Sequence, residues 1–364
     1  MKISFKHDEL KKALTLLCNV IPKQPRTPIL SHVKIEVANK QYAVLCSNNE
    51  SVFLYRKIPL EACEALGGCT VHGKNFLELV KNFNNKTPIK VQMVSDNKLK
   101  VSQSRSRYTF KTLNHFEYPE IKIPNTNNFH LIPAPSLLKS LKIAESVTGN
   151  DMSKSILQSV MIEPTPVEGY IRTVATDGVR LLVCKIPGIL KNSIIIAKES
   201  VSLLVKVLHD SKECSIHSDE ANVFIKTENG FFCSRMLEKK FPDYKRLFSK
   251  GSHIDIKIDL DPVRSALKRA LLFSEKVIIT LHPNGKMNIS STSPVEEGEE
   301  EVYLEKKVDK LNEPIKIAVN AALFSHVLEK FEGEELSMKY YAPLSPLALL
   351  GSPDLVGLFM PLKV

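Results

Sequence analysis

Apolar and polar positions along the chain follow two periods in a fixed order. Apolar residues three and four apart run through DELKKALTLL from Asp8, PSLLKSLKIA around Ser136 and DPVRSALKRALL from Asp261, which predicts three amphipathic helices. Each follows a short strand-like segment, ISF, FHLI or IDIKIDL. A second set of helices is expected in KNFLELVKNF from Lys74, KESVSLLVKVL from Lys198 and NAALFSHVLEKF from Asn320. Between the helices, stretches such as KLKVSQSRSRYTFKTL, NVFIKTENGFFCSRML and KMNISSTSP alternate with period two and read as strands joined by turns.

This order recurs three times. Leu10, Leu137 and Val263 hold one place in the first helix, at spacings of 127 and 126, and Lys81, Lys206 and Lys330 hold one place in the second, at spacings of 125 and 124. Two landmarks sharing nearly one period predict a triplicated α+β chain, each repeat having two helices packed on antiparallel sheets. The stretches FEYPEIKIPNTNN and FPDYKRLFSKGS read as linkers and put the domains at 1–124, 125–250 and 251–364. A repeat this long can bury its own core, so three domains in series are expected rather than a solenoid.

Composition narrows the class. No tract of about 18 apolar residues could span a bilayer, and the charged start MKISFKHDEL carries no export signal, so a cytoplasmic protein is expected. Seven cysteines without a C-x-x-C pair read as reduced, mostly buried thiols. The net charge of +10 is unevenly spread: residues 1–124 carry +10, 125–250 carry +4 and 251–364 carry −4. A basic first third suggests a polyanionic partner, and an acidic last third suggests attraction between copies.

Candidate chemistry is sparse. GCTVHGKN (68–75) matches seven positions of a phosphate-binding loop, but Asn75 replaces the Mg²⁺-binding hydroxyl and CTV reads as a strand, which favours a strand-to-helix junction. The ten histidines have no metal-ligand spacing and no G-x-S-x-G elbow is present, so neither a metal, a cofactor nor an enzyme is expected. Asp261 reads as a helix N-cap. The run EEGEEE (296–301) reads either as a solvated loop or as an acidic counterpart to Arg105 and Arg107 on a first-repeat edge strand. Opposite charges at opposite ends of a chain suit head-to-tail association, which closes into a ring.

VATDGVRLLVCKIP (174–187) and SRMLEKKFPDYKRLF (234–248), with RTPILSHVKIEV near the start and LFMPLKV at the end, closely resemble the bacterial DNA polymerase III β subunit family, the replicative sliding clamps. The resemblance spans the chain in the family's order. It implies three similar clamp domains per chain and a head-to-tail homodimeric ring, with helices lining a hole for double-stranded DNA. It further implies a non-catalytic processivity role, loading by a separate clamp loader, and capture of the DNA polymerase III catalytic subunit and other partners carrying a short clamp-binding motif.

Site residues follow from the same resemblance. A peptide pocket between the second and third domains maps onto Leu157, Thr176, Gly178, Val179, Arg180 and Leu181, then Pro242, Arg246 and Leu247, and finally Leu358, Met360, Pro361, Leu362, Lys363 and Val364. Val179 stands where a His is common, which implies a pocket of the same kind with altered shape. Lys23, Arg26, Lys74, Lys154 and Lys198 are placed near DNA. Gln24 stands where many relatives are basic, and Ser155-Ile156 where some carry a Tyr pair. The dimer interface maps onto Tyr108 and Phe110 against Leu272 and Phe273, with Arg105 and Arg107 as steering charges. A clamp-like scaffold that binds peptides without encircling DNA, and a phosphate-handling enzyme centred on Gly68 and Lys74, are the alternatives.

Overall fold

The structure, a computed structural model, describes residues 1–364 except 126–127, 249–250, 293–296, 305–307 and 309–310, together with the side chains of residues 152 and 154. In the first repeat β1 (Lys2–Phe5), α1 (His7–Cys18), β2 (His32–Val37), β3 (Tyr42–Asn48), β4 (Val52–Pro59), β5 (Ala62–Ala65), β6 (Gly67–His72), α2 (Gly73–Lys81), β7 (Ile89–Ser95), β8 (Lys98–Gln103) and β9 (Ser106–Lys111) follow in turn. The second has β10 (His130–Pro133), α3 (Ala134–Glu145), β11 (Ser159–Pro164), β12 (Tyr170–Thr176), β13 (Arg180–Pro187), β14 (Ile194–Ala197), α4 (Lys198–Leu208), β15 (Glu213–Ser218), β16 (Asn222–Thr227) and β17 (Gly230–Arg235). The third has β18 (Ile254–Asp259), α5 (Leu260–Ala270), β19 (Lys276–Leu281), β20 (Lys286–Thr292), β21 (Glu297–Tyr303), β22 (Ile315–Asn320), α6 (Ala321–Leu328), β23 (Glu335–Tyr340), β24 (Leu347–Ser352) and β25 (Leu355–Phe359).

The six helices stand where the apolar period predicts. Leu10, Leu137 and Val263 are all buried, so the repeated position is a core position in each copy. Helix α1 buries Leu10, Ala13, Leu14 and Leu17 and turns Lys11 and Lys12 outward. It stops where the Asn19 amide donates to the Thr15 carbonyl at 2.6 Å. In α5 the cap is Asp259, whose carboxylate accepts from the Asp261 amide at 3.3 Å. The expected cap Asp261 lies one residue inside the helix and pairs with Arg264 at 3.2 Å instead.

Two compact units form, residues 1–138 with 188–237 and residues 139–187 with 238–364. The first holds a five-stranded sheet, β5-β1-β7-β8-β9, and an eight-stranded sheet, β10-β15-β16-β17-β4-β3-β2-β6. The second holds β21-β20-β19-β22 and the run β11-β12-β13-β25-β24-β23-β18. Both long runs cross a repeat boundary. Within the first unit, β4 pairs antiparallel with β17 from Arg56↔Gly230 to Val52↔Ser234; within the second, β13 pairs with β25 from Arg180↔Phe359 to Cys184↔Leu355.

The two segments expected as linkers are packed. Tyr118 is buried with Cys46, Phe53, Phe224, Phe231 and Cys233 across the β4–β17 junction, and its hydroxyl donates to the His32 carbonyl at 3.2 Å. At the corresponding place after the second repeat, the buried Tyr244 donates to Glu163 on β11 at 2.5 Å. Glu163 also accepts from Arg172 at 2.7 Å and from Lys245 at 3.2 Å. Proline and asparagine break the secondary structure in these segments, but a buried aromatic ring fastens each one to a sheet.

The acidic run is a strand rather than a loop over its described residues, 297–301. Strand β21 pairs with β20 from Thr292↔Glu297 to Lys286↔Tyr303, and three of its glutamates find side-chain partners. Glu300 takes a two-pronged pair from Arg269 of α5 at 2.5 Å, Glu299 accepts from Asn288 at 2.6 Å, and Glu301 pairs with Lys286. Cross-strand and helix-borne cations thus offset the poor strand propensity of glutamate.

Burial raises the Glu163 carboxyl, but donation from Tyr244, Lys245 and Arg172 outweighs this and holds it below the ordinary carboxylate range. Its contribution to stability is therefore complete above the unfolded value of about 4.3 and is lost as pH falls through the folded value. Thermal melts should show Glu163→Gln less stable than the parent at pH 7, with the gap closing as both are taken below about pH 4.

Candidate functional site

The hairpin between β12 and β13 is built from the ATDG-x-R segment. Asp177 Oδ1 accepts from the amides of Val179 at 2.9 Å and Arg180 at 2.7 Å, closing a turn on its own side chain. Gly178 sits at φ 93°, where a side chain would be strained. The Thr176 hydroxyl donates to the Arg180 carbonyl at 2.6 Å and accepts from the Gly178 amide at 3.0 Å. These short-range bonds make the turn rigid from sequence alone.

Arg180 is buried and fully engaged. Its Nε donates to Asp177 Oδ2 at 2.8 Å, and its Nη1 lies 2.9 Å from Nδ1 of His326 on α6. A guanidinium only donates, so Nδ1 is the acceptor and the ring is neutral. Burial lowers the His326 pKa first, with Lys330 and Arg180 adding to the effect, which agrees with a neutral ring. His326 was not among the expected site residues, and nothing local could have flagged it, because the contact spans 146 positions.

Antiparallel pairing brings the end of the chain to this turn. Leu181 faces Leu358 and Arg180 faces Phe359 across β13–β25, and the Met360 amide donates to the Val179 carbonyl at 2.8 Å. Thr176, Arg180, Leu181 and Leu358 form a buried floor, while Leu157, Val179, Met360 and Pro361 are half-exposed. An added Cβ on Gly178 would lie 3.9 Å from Leu157, which places that leucine beside the turn. Pro242, Arg246 and Leu247 are exposed on the segment fastened by Tyr244, where Arg246 pairs with Asp243 at 2.6 Å.

The tail then builds a pocket whose opposite wall was not among the expected residues. The Leu362 amide donates to the Ala318 carbonyl at 2.7 Å, pinning the tail to β22. Pro361, Leu362, Lys363 and Val364 form one wall of a cavity of about 200 Å³, and Ile317, Tyr340, Pro343 and Leu344 form the other. Leu344 is half exposed with φ 63°, held in a turn between two prolines. An apolar residue in so tight a turn is unavailable to the core, and that was the overlooked signal. The cavity can take an apolar side chain, with Lys363 and Lys316 at its rim.

The other expected residues are placed separately. Lys23, Arg26 and Lys74 are exposed in the first unit, Arg26 lying 3.6 Å from Glu50 and Lys74 in the first turn of α2. Lys198 opens α4 and is half-buried. The side chain of Lys154 lies outside the described residues. The segment around Lys74 passes straight from β6 into α2, with His72 capping the helix by accepting from the Asn75 amide at 3.4 Å, so it is a strand-to-helix junction. Among the described residues no group of three or more His, Cys, Asp or Glu is placed to hold a metal ion, and no helix is long and apolar enough to cross a membrane.

Tyr108 and Phe110 lie on β9, an edge strand, where Phe110 meets Phe76 of α2 edge-on at 6.0 Å and Tyr108 is 46% exposed. Arg107 is on the same strand and Arg105 is in the turn before it. Leu272 and Phe273 follow α5, Leu272 being 80% exposed. Phe273 packs against Gly298 of β21, where an added Cβ would approach its ring to 3.2 Å.

Families described as the N-terminal, central and C-terminal domains of the DNA polymerase III beta subunit match residues 1–122, 133–243 and 245–362 in that order. The beta sliding clamp of Pseudomonas aeruginosa is 29% identical over 317 residues, covering 84% of each chain. The crystal structure of a DNA polymerase III subunit beta from the same organism superposes over 100% of both chains with a TM-score of 0.88 at 25% identity. A Helicobacter pylori beta clamp bound to a DNA ligase peptide shares the fold, with a TM-score of 0.90 at 22% identity over 100% of both chains.

Removing one member of the buried pair should be costly. Asp177→Ala leaves the Arg180 guanidinium without its counter-charge and deprives two turn amides of their acceptor, and should lower unfolding free energy in urea by about 3 kcal/mol. A loss below about 1 kcal/mol would mean that the turn does not depend on this carboxylate.

Proposed function

This chain belongs to the DNA polymerase III beta subunit family, and on that premise we propose that it is a sliding clamp. Two copies join head to tail in a ring around duplex DNA and hold the replicative polymerase to its template. The protein does no chemistry. It confers processivity by keeping a tethered polymerase at high effective concentration beside the primer end. Its domains are 1–124, 125–250 and 251–364, and it works in the cytoplasm.

The observation that carries the ring is the rule of strand pairing. Each repeat ends one sheet on a strand of the β4, β13, β21 set and the other on a strand of the β9, β17, β25 set. Strand β4 pairs with β17 of the next repeat, and β13 with β25 of the next. The rule leaves the outer edges of β21 and β9 unpaired among the described residues. Applied once more, it pairs β21 of one copy with β9 of another, a heterologous contact of the kind that the proposed two-copy ring requires. The side chains support this join. Counted from the preceding hairpin, Arg107 on β9 stands where Phe231 stands on β17, so a charged edge meets the glutamates of β21 while Tyr108 and Phe110 meet Leu272 and Phe273.

Lys23, Arg26, Lys74, Lys154 and Lys198 serve the DNA, whose phosphates attract them without reading sequence. The turn at 176–181, the residues Leu157, Pro242, Arg246 and Leu247, and the tail at 358–364 serve partner peptides. The Helicobacter pylori clamp bound to a ligase peptide exemplifies the kind of partner. Apolar anchors enter beside Leu362 and Met360, and the buried Arg180 stiffens the floor beneath them. The DNA polymerase III catalytic subunit, other proteins with a clamp-binding motif and an ATP-driven clamp loader are the expected partners.

Light scattering should give a dimer at micromolar concentration, and Leu272→Ala with Phe273→Ala should raise its dissociation constant by about tenfold or more. A persistent monomer would remove the ring and leave only peptide capture. Separately, Met360→Ala with Arg246→Ala should weaken binding of a fluorescent clamp-binding peptide by about tenfold while leaving the dimer mass unchanged. Normal peptide affinity in that folded variant would sink the pocket assignment.

A further inference from the structure

The five-stranded sheet of the first unit has one face that the ring and the pocket leave unexplained. In its register Lys2 lies opposite Gln92 and Gln92 opposite Lys100, while Ser4 lies opposite Lys90, Lys90 opposite Ser102 and Ser102 opposite Arg107. Residues directly opposite share a face, so all of these project from the same side of the sheet. Lys98 and Lys111 project from it as well, facing each other directly. Like charges so placed destabilise a strand pair. The opposite side carries Ile3, Val91, Leu99 and Val101, all buried, and Phe110 packed on α2. The cationic side therefore points away from the helix layer.

This face is concave and its charge is uncompensated. Lys2, Lys90, Lys100 and Arg107 line a hollow of about 450 Å³ together with Ser4, Gln92 and Ser102. The one carboxylate lining it, Glu64, is taken by Lys2 at 2.5 Å. Lys90, Lys98, Lys100, Arg107 and Lys111 make no ion pair among the described residues.

We propose that this face is a second nucleic-acid surface, which holds the phosphate backbone of duplex DNA lying outside the ring. Lysine, arginine, serine and glutamine are the groups that contact phosphates without reading bases. The face offers no aromatic ring on which unpaired bases could stack, which favours duplex over single-stranded DNA. Charged and polar groups dominate it, with Val94 exposed at the irregular end of β7, and this balance favours DNA over an acidic protein. Arg107 and Lys111 lie on β9, where the partner's β21 would bring glutamates. Lys90, Lys98 and Lys100 lie off that edge and carry the proposal.

Covalently closed circular duplex DNA separates this surface from the hole, because it cannot enter a closed ring without a loader. The purified full-length protein should retard a relaxed closed circle at low salt, with affinity falling steeply as salt rises. Lys90→Gln, Lys98→Gln and Lys100→Gln together should weaken that binding about tenfold or more and lower the salt slope by roughly 2 to 3. Lys98→Gln alone, a single exposed change, should give a smaller loss in the same direction. Lys40→Gln with Lys191→Gln, two exposed lysines off this sheet, should leave closed-circle binding unchanged. The mass measured on the same samples keeps failure of the ring distinct from failure of this surface. Three results would overturn the proposal: no retardation of the closed circle, equal loss in the Lys40 and Lys191 variant, or displacement by polyglutamate at lower charge concentration than by DNA, which would assign the face to an acidic protein.

Discussion

An edge strand presents a row of amide donors and carbonyl acceptors that must be paired, solvated or covered, and this requirement organises the whole chain. Every repeat produces two sheets, and each sheet ends on such a row. Joining β4 to β17 and β13 to β25 satisfies the interior rows and turns three separate sandwiches into continuous sheets. Of the six strands to which this joining rule applies, β9 and β21 then keep an open edge. The proposed peptide pocket depends on the same join, because pairing β13 with β25 is what carries Met360 and the tail to the 176–181 turn.

The interior and open edges use different side chains for the same backbone geometry. At the β4–β17 join within the chain, aromatic rings cover the contact, with Tyr55 stacked on Phe231 at 5.6 Å. In the proposed ring a second copy would arrive by diffusion, and an aromatic edge left open meanwhile would invite indiscriminate strand pairing. Arginine and lysine on β9 and glutamate on β21 keep both edges soluble and admit mainly an edge of opposite charge.

Much of this was legible in the sequence because it depends on local period. Leu10, Leu137 and Val263 mark a buried helical position three times over, and the Asp177 turn is closed by neighbours two and three residues away. What escaped depends on distant partners. Glutamates 299–301 read either as a solvated loop or as an acidic counterpart to Arg105 and Arg107, and their place on a strand emerges only when Asn288, Lys286 and Arg269 are brought beside them. His326 gains its role only from Arg180, and the wall formed by Ile317 and Leu344 exists only because the tail crosses to Ala318. Tyr118 and Tyr244 were hidden for another reason: proline and asparagine around them signal irregular backbone, which says nothing about whether that backbone is packed.

The fastening of Tyr118 bears on how divisible the molecule is. The ring plugs a cluster contributed by both β3–β4 and β16–β17, so the connector is part of the core that it would be expected merely to link. A gene fragment cut near residue 124 would encode a repeat whose β4 edge is unpaired and whose Phe53 and Tyr55 have lost Phe231 as cover. Triplication is therefore visible as three words in the sequence, yet the smallest stretch that makes physical sense on its own is longer than one of them.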